Sequence, residues 1–353
     1  MKTNFAAVLF AVLFFVFSCS EKKATTVADL KIGAGQMPMI AKDKAGMVHL
    51  VYGTGDSIMY SFSSDQGISF SSPAVVHRLP NLVASHTRGP QIAVSDNGLT
   101  VIACDKTGNI FSFVKENNAD WQPAARVNEQ DTSSKEGLTA LSGDQKNTFA
   151  VWLDLRHQHN EIFGASSTDG GKTWSKNMLI YASPDTTVCQ CCKPAVAVKG
   201  DHVYVMFRNW LKGQRDMYIM QSADAGAHFG AATKVGNGSW ALNGCPMDGG
   251  ALTIANTGAI NTVWRRETKL FSCEPGKQET ELGEGRGCTM EMIGDKKVYA
   301  WTEQGEVICL LPDGNKKKLG KGQQPVLKAV SDTQFICVWE QDKEIRRSLL
   351  AIM

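Results

Sequence analysis

The chain has 353 residues and a formal net charge of +2, and 43% of its residues are hydrophobic. Because the basic residues are scattered, the sequence lacks the positive patch that nucleic-acid binding requires, and we expect no nucleic-acid partner. The lysine run at 316–318 follows Asp-Gly-Asn and is typical of a solvated turn.

Residues 1–18 have the pattern of a secretory signal peptide. Lys2 supplies a positive charge, and the apolar run at 5–17 is too short to span a membrane as a helix. The run ends in Val-Phe-Ser-Cys, which resembles the bacterial lipobox, whose cysteine is lipidated. We therefore predict lipidation at Cys19, a tether over 19–26 and one domain over 27–353. The lipid alone is expected to hold the protein in the bacterial cell envelope, at the outer membrane or the periplasmic face.

The most legible internal repeat is a turn of the form Ser-x-Asp-x-Gly-x-x-aromatic, named here the Ser-Asp-Gly turn. Its three copies start at Ser63, Ser167 and Ser222. Serine and aspartate side chains accept hydrogen bonds from nearby backbone amides, and glycine adopts a positive φ at little cost. Since each copy lies between two short alternating strands, the repeat predicts tight β-hairpins.

A weaker unit of about 50 residues extends the repeat along the whole chain and predicts an all-β fold. The first strands of the units are expected to begin near Met37, Pro90, Leu138, Pro194, Ala251, Thr289 and Pro325. The second strands end near Tyr52, Cys104, Trp152, Phe207, Trp264, Trp301 and Trp339. We count seven four-stranded antiparallel blades of a β-propeller, with six as the alternative. The last unit lacks a fourth strand, which residues 27–32 can supply to close the ring.

The chain has ten cysteines, and in an exported protein this number predicts disulfides. Removing Cys19 leaves an odd number, so at least one thiol lacks a partner within the chain. Cys273 and Cys288 flank a predicted hairpin and are candidates for one bond. Three others lie inside strand patterns and are expected to be small core residues: Cys104, Cys309 and Cys337.

The Ser-Asp-Gly turns resemble the Asp-box, or BNR, repeats of sialidase-like propellers. Three further segments resemble bacterial lipoproteins of this sialidase-like group: Cys-Gln-Cys-Cys at 189–192, Gly-Cys-Pro-Met-Asp-Gly at 244–249 and Arg-Gly-Pro at 88–90. The resemblance implies a propeller in which the Asp-box turns join the third and fourth strands. Such turns lie on the face opposite the loops that surround the mouth of the central channel. We therefore expect a binding site at the channel mouth, where the unusual side chains converge.

The arginines of that face are the candidate ligand-binding residues, because a guanidinium group meets a carboxylate in a bidentate geometry. The resemblance implies a triad of arginines around an acidic sugar, which Arg88, Arg208 and either Arg265 or Arg266 could form. His86 and Asp248 belong to the same loops and complete the predicted ligand site. The alternative is that these arginines pair with Asp154, Asp248, Glu267 or Asp216 to fix the loops.

The resemblance also implies a tyrosine nucleophile assisted by a glutamate, with an acidic residue as the acid/base. Tyr52 is the candidate nucleophile, Glu267 or Glu303 the assisting carboxylate, and Asp154 the acid/base. Tyr52 also occupies the repeated aromatic position, where packing between blades is the alternative role. Trp210 and Trp240 fall outside that position, and we expect them to be exposed and able to stack on a sugar.

A second candidate site comes from cysteines of two neighbouring loops: Cys189, Cys191, Cys192 and Cys245. Disulfide bonding is the favoured interpretation, as two bonds or as one bond with spare thiols. Four thiolates could instead bind Zn²⁺ or Cu⁺, with His157 and His159 as neighbours. Apart from such a metal, we expect no cofactor.

Two hypotheses for the function follow from these residues. The first is a membrane-anchored, sialidase-like propeller that binds an anionic glycan or a related ligand, with exo-α-sialidase activity left open. The second is a non-catalytic propeller that recognises a glycan or a protein, with a structural or metal-binding cysteine cluster. In both cases we expect a monomer.

Overall fold

The computed structural model describes residues 26–116 and 119–352, with the backbone only at 26–29. The predicted signal peptide, Cys19 and nearly all of the tether lie outside the described residues. No helix among the described residues is long and apolar enough to cross a membrane.

The described residues form strands joined by turns and loops, as the repeat predicts. In chain order the strands are β1 (Thr26–Ala34), β2 (Gln36–Lys42), β3 (Val48–Thr54), β4 (Ser57–Ser63), β5 (Ala74–Arg78), β6 (Gln91–Ser95), β7 (Gly98–Cys104), β8 (Ile110–Lys115), β9 (Gln122–Arg126), β10 (Thr139–Asp144), β11 (Asn147–Asp154), β12 (Glu161–Ser167), β13 (Met178–Tyr181) and β14 (Ala195–Lys199). The second half contains β15 (His202–Arg208), β16 (Met217–Ser222), β17 (Thr233–Lys234), β18 (Gly250–Ile254), β19 (Ile260–Arg266), β20 (Lys269–Cys273), β21 (Thr280–Glu284), β22 (Arg286–Ile293), β23 (Lys296–Glu303), β24 (Glu306–Leu310), β25 (Lys316–Lys321), β26 (Gln323–Ala329), β27 (Gln334–Gln341) and β28 (Glu344–Ala351).

These strands form seven four-stranded antiparallel sheets, which confirms seven blades rather than six. Blades 1 to 6 are consecutive in sequence: β2–β5, β6–β9, β10–β13, β14–β17, β18–β21 and β22–β25. Blade 7 consists of β26, β27, β28 and the N-terminal β1, which pairs with β28 from Thr26–Leu350 to Ala34–Glu344. The first strands of neighbouring blades contact one another around the whole ring. The propeller is therefore closed by its N-terminal strand, as predicted.

The core consists of seven apolar clusters, each between two neighbouring blades. The large residues that end the second strands are buried in these clusters, and Trp152, Trp301 and Trp339 are fully inaccessible. Cys104, Cys309 and Cys337 are buried free thiols, in agreement with their predicted role as small core residues. Packing between blades thus explains the repeated large residue.

The two faces of the ring differ in what they carry. The three Ser-Asp-Gly turns join the third and fourth strands of blades 1, 3 and 4 on one face, the turn face. In the first turn, Ser63 Oγ accepts the amide of Gly67 at 2.7 Å, and Asp65 accepts the amide of Ser69 at 2.9 Å. The other two turns repeat this pattern. On the opposite face, the mouth face, the first strands begin and the second strands end.

Candidate functional site

The central channel is enclosed by the first strands and has a volume of about 200 Å³. Much of its wall is apolar or backbone, but Lys193 and Asp248 both line it. Lys193 Nζ donates to Gln91 Oε1 at 2.7 Å, and burial lowers the pKa of this lysine to about 8. The interior of the channel therefore contains few charged groups, and each has a partner.

A second cavity of about 190 Å³ lies at the mouth of this channel. It shares Met37, Thr87, Gly287 and Gln324 with the channel wall, so the two spaces are continuous. Its polar lining residues include Gln36, Ser85, His86, Arg286, Gln323 and Glu340. We call this cavity the mouth pocket; it is concave, small and mainly polar.

The backbone around the mouth pocket is unusual. In blades 1, 6 and 7 the first strand starts with a register shift, at Gln36/Met39, Arg286/Thr289 and Gln323/Val326. Five lining residues other than glycine have positive φ angles of 50° to 71°: Met37, His86, Thr87, Met247 and Gln324. Such conformations are costly for these residue types and concentrate at functional sites, because surrounding structure must hold them in place.

A glycine allows each shifted strand to start close to a core aromatic residue. A Cβ atom at Gly285 would lie 2.4 Å from Trp301, and one at Gly322 would lie 2.4 Å from Trp339. Gly35 has the same relation to Tyr52, at 2.3 Å. The sequence signal is a short motif: Gly-Gln-Met-Pro at 35–38, Gly-Arg-Gly-Cys at 285–288 and Gly-Gln-Gln-Pro at 322–325. Neither this motif nor Arg286 was among the residues predicted from the sequence.

Arg286 is the distinctive charge of the mouth pocket. It is exposed, and among the described residues its side chain has no hydrogen-bond or ion-pair partner. Glu340 of the same pocket is buried and accepts from the Met37 amide at 3.1 Å and from Gln36 Nε2 at 3.2 Å. The carboxylate is thus already engaged, whereas the guanidinium group of Arg286 is available to a ligand. His86, a predicted ligand residue, is exposed in this pocket.

The predicted triad of arginines is engaged within the protein. Arg208 is buried, and its guanidinium group donates to the carbonyl oxygens of Asp248, Arg215 and Arg265 at 3.3, 2.7 and 2.8 Å. Arg265 lies 3.3 Å from the Asp248 carboxylate, which also accepts the Gly287 amide at 3.2 Å. Burial raises the pKa of Asp248, against the effect of both arginines. This part of the predicted site is a structural network.

The other two arginines are paired as well. Arg88 donates to the carbonyl oxygen of Glu136 at 2.5 Å and lies 3.4 Å from its carboxylate. Arg266 binds both carboxylate oxygens of Glu279, at 3.0 and 2.5 Å. The alternative role of fixing loops therefore describes all four arginines, although the partners of Arg88 and Arg266 differ from those expected.

Asp154 does not have the environment of a general acid. It is fully buried and accepts hydrogen bonds from Ser133, Trp152 and Arg156 at 2.7 to 2.9 Å. Burial alone would raise its pKa, but the hydrogen bonds from Arg156, Trp152 and Ser133 outweigh burial and lower the pKa of Asp154. Both oxygens of this carboxylate are therefore occupied as acceptors.

The structure does not bring the other catalytic candidates together. Tyr52 is 1% exposed and packs in the cluster between blades 7 and 1 with Ile40 and Val338. Burial raises the pKa of its hydroxyl. Glu267 is exposed on a turn of blade 5, and Glu303 accepts from Trp301 Nε1 at 3.2 Å. Tyr52 has the packing role that was the alternative.

The cysteines of the two mouth-face loops do converge. Cys191 and Cys245 form a disulfide, and Cys189 and Cys192 are buried thiols with their sulfur atoms 3.3 Å apart. The hydrogen bond between Cys189 and Cys192, supported by Arg215 and Arg208, lowers the pKa of Cys189 to about 6 against the effect of burial. Burial and the adjacent Cys189 raise the pKa of Cys192. This arrangement is one disulfide bond with two free thiols, which was one of the two predicted forms of disulfide bonding.

Several expectations about neighbouring residues are wrong. Cys273 and Cys288 are both buried free thiols, since they belong to different interblade clusters. Trp240 is buried and lies 5.3 Å from the Arg208 guanidinium carbon, so it is not an exposed platform for a sugar. His157 and His159 both contact Glu161, and neither belongs to the group of Cys189, Cys191 and Cys192 whose sulfurs lie within 4.8 Å of one another. Trp210 is half-buried and faces Arg215 at 4.4 Å.

No protein-family model and no curated protein matches the chain. Solved structures are similar in fold. The BP39L lectin from Burkholderia pseudomallei aligns with a TM-score of 0.61 at 10% identity, over 91% of this chain and 97% of its own. An α-L-arabinanase of Penicillium chrysogenum, complexed with arabinobiose, has a TM-score of 0.55 at 11% identity, over 93% and 98%. A PL25 ulvan lyase bound to a GlcA-Rha3S fragment has a TM-score of 0.54 at 10% identity, over 93% and 96%. At such identities the similarity establishes the fold alone.

Proposed function

We propose that this chain is a non-hydrolytic, glycan-binding propeller of the bacterial cell envelope, and that it binds an acidic sugar in the mouth pocket. The observation that carries the proposal is Arg286, an unpartnered arginine within a polar pocket at the channel mouth. A guanidinium group recognises a carboxylate through two parallel hydrogen bonds. The surrounding amide and hydroxyl groups match the alternating donors and acceptors of a sugar.

The size and rigidity of the mouth pocket favour a single sugar residue as the recognised unit. A volume of about 190 Å³ is smaller than the range typical of drug-sized ligands. The shifted strand starts at Gln36, Arg286 and Gln323 hold their side chains around one opening. The backbone of such a preformed site loses little conformational entropy when a ligand binds.

The contacts of the catalytic candidates support binding rather than hydrolysis. Both oxygens of Asp154 already accept hydrogen bonds, and its lowered pKa disfavours the protonated form that a general acid requires. Tyr52 is buried between blades, and the exposed Glu267 is on another blade. A tyrosine nucleophile beside a carboxylate is therefore not formed by these residues.

The similar solved structures lend support at the level of the fold. They include a lectin and two enzymes with bound sugars, one of which contains glucuronic acid. The shared hydrogen bonds of the Ser-Asp-Gly turns support assignment to the Asp-box, sialidase-like propellers. The signal sequence and the lipobox at Cys19 support a lipid-anchored protein of the cell envelope.

Calorimetric titration of the full chain tests the proposal. The probes are methyl β-D-glucuronide and N-acetylneuraminic acid, with methyl β-D-glucoside as the neutral control. We expect the acidic sugars to bind and Arg286→Gln to weaken them by about 10-fold or more, since a hydrogen bond to a charged group contributes about 1.5 to 3 kcal/mol. The matched control is Arg78→Gln, which removes an exposed arginine from the outer strand β5. Equal effects of the two variants would exclude the mouth pocket.

A fluorogenic α-sialoside tests the absence of hydrolysis. We expect no release of the fluorophore between about pH 4 and 8, the range in which a carboxylate or histidine acid could act. Release that is lost in Asp154→Asn would contradict the proposal and restore Asp154 as an acid.

A further inference from the structure

The sulfur cluster formed by Cys189, Cys191, Cys192 and Cys245 has no part in the proposed glycan binding. The geometry points to a binding site for a thiophilic closed-shell cation, Zn²⁺ or Cu⁺, which forms when the Cys191–Cys245 bond is reduced. This inference is independent of the proposed function, because none of the four cysteines lines the mouth pocket.

The positions of the sulfur atoms suit such an ion. Cys189 Sγ lies 3.3 Å from Cys192 Sγ and 3.9 Å from Cys191 Sγ, and all three sulfurs lie within 4.8 Å of one another. A tetrahedral zinc site with Zn–S bonds of about 2.3 Å has S–S edges of about 3.8 Å. The three sulfurs therefore already stand at nearly the separation of metal ligands. Cys245 Sγ is bonded to Cys191 Sγ but is outside the group of three sulfurs that lie within 4.8 Å of one another, so its loop must move for this sulfur to become a fourth ligand after reduction.

The charges around the cluster match a metal thiolate centre. A four-thiolate Zn²⁺ centre and a three-thiolate Cu⁺ centre both have a net charge of about −2. Arg208 and Arg215 are both buried beside the thiols, and Arg215 Nη1 donates to Cys189 Sγ at 3.2 Å. A buried anionic centre needs such compensation.

The hydrogen bonds around the sulfurs fix the two loops in position. Arg215 Nη1 donates to Cys189 Sγ at 3.2 Å, and the Cys189 amide donates to the Arg208 carbonyl oxygen at 3.0 Å. Arg215 Nε donates to the Leu242 carbonyl at 3.2 Å in the loop that carries Cys245. Donors of this kind orient the ligands of metal sites and tune their affinity.

A second disulfide between Cys189 and Cys192 accounts for these contacts less well. It would make the sulfur cluster neutral and leave the buried Arg215 facing an uncharged bond. Buried charges without an opposite charge are strongly disfavoured. The buried charge of Arg215 is better explained by a centre that is negative in its working state.

Formation of the site requires a reductant. A dithiol gives two electrons to the Cys191–Cys245 bond and two protons to its sulfurs, and becomes a disulfide itself. The cation then replaces the thiol protons of its ligands, which are released to solvent. Reoxidation of Cys191 with Cys245 removes two ligands, so the site is expected to release its ion under oxidising conditions.

Metal analysis of the full chain tests the site. The protein is reduced anaerobically with a phosphine, offered Zn²⁺ or Cu⁺ and desalted, and its metal content is measured by mass spectrometry. We expect about one ion per reduced chain and loss of that ion in Cys189→Ser and Cys192→Ser. Cys104→Ser is the matched control, because the sulfur of Cys104 contacts the carbonyl oxygens of Asp105 and Ser134, which can accept from a serine hydroxyl.

A variant of the exposed Cys245 distinguishes binding of Zn²⁺ from binding of Cu⁺. Cys245→Ser is expected to weaken Zn²⁺ by at least about 10-fold, since zinc uses four protein ligands, and to leave a three-sulfur Cu⁺ site intact. X-ray absorption of the loaded wild type gives a readout that does not depend on variants folding, and we expect sulfur ligands only. Less than about 0.1 ion per reduced, folded chain, or a shell of nitrogen and oxygen, would overturn the inference.

Discussion

The turn face and the mouth face of this propeller are built from the same strands, but their polar side chains have different kinds of hydrogen-bond partner. On the turn face, Ser63, Ser167 and Ser222 each bind their own turn through the same local hydrogen bonds. On the mouth face, Arg208 donates to three carbonyl oxygens on two loops and the end of β19, and Arg286 has no partner among the described residues. Local, repeated bonds provide the scaffold, whereas departures from the repeat are concentrated where a ligand can bind.

The largest effect is expected from breaking the network of the mouth face. Arg208→Met should lower the free energy of unfolding by about 3 to 5 kcal/mol, because it leaves the carbonyl oxygens of Asp248, Arg215 and Arg265 without their buried donor. Arg266→Met, which breaks a more exposed pair with Glu279, should cost about 1 kcal/mol or less. Urea unfolding measures both, and equal losses would mean that the network does not stabilise the mouth face.

A medium effect is expected on the turn face. Ser63→Ala, Ser167→Ala and Ser222→Ala should each cost about 1 to 2 kcal/mol, because each removes the acceptor of a buried glycine amide. Since the three turns have the same contacts, the three losses should agree with one another. Ser72→Ala, an exposed neighbour of the first turn, is the control. Thermal unfolding measures these losses, and clearly different losses of stability among the three variants would show that the turns are not equivalent.

A matched pair of glycine substitutions compares backbone strain on the two faces. Gln66 in the first turn and Gln324 in the mouth pocket have φ angles of 60° and 56°. Gly170 occupies the position of Gln66 in the second turn. Each glycine variant should raise the free energy of unfolding by about 1 kcal/mol, because it relieves the same strain.

Only Gln324→Gly should also weaken binding of an acidic sugar, since Gln324 lines the mouth pocket and Gln66 does not. Unfolding and titration of both variants test this. Unchanged binding in Gln324→Gly would mean that Gln324 and its backbone strain have no role in sugar binding.

The smallest effect is a dependence on pH. Hydrogen bonds from the Ser69 hydroxyl and amide lower the pKa of Asp65 to about 2. Because the folded pKa lies below the unfolded value of about 3.9, the stability that Asp65 contributes is present above about pH 4 and lost as the pH falls towards 2. Asp65→Asn should therefore flatten this part of the stability profile. If stability falls with pH as steeply in Asp65→Asn as in the wild type, the loss of stability in acid comes from other carboxylates.

The fold could be predicted because its signals are local and repeat. The Ser-Asp-Gly turns fixed the phase of the strands, and the missing fourth strand of the last blade required residues 27–32 to close it. The predicted first strands begin within three residues of the observed ones, and the largest difference is at blade 6, where a register shift extends β22 to Arg286.

The site was less predictable because its contacts depend on tertiary structure. Carbonyl oxygens belong to every residue, so no residue type marks the partners of Arg208. The pairing of Cys191 with Cys245 in a disulfide likewise depends on how closely their two loops approach each other. Arg286 could have been found, because it belongs to a Gly-x-x-(Pro/Cys) motif that blades 1, 6 and 7 share.

A crystal structure of the full chain with methyl β-D-glucuronide tests the central claim most directly. We expect the sugar in the mouth pocket, with its carboxylate oxygens about 2.7 to 2.9 Å from the guanidinium nitrogens of Arg286. A sugar bound elsewhere on the ring, with Arg286 still facing solvent, would contradict it.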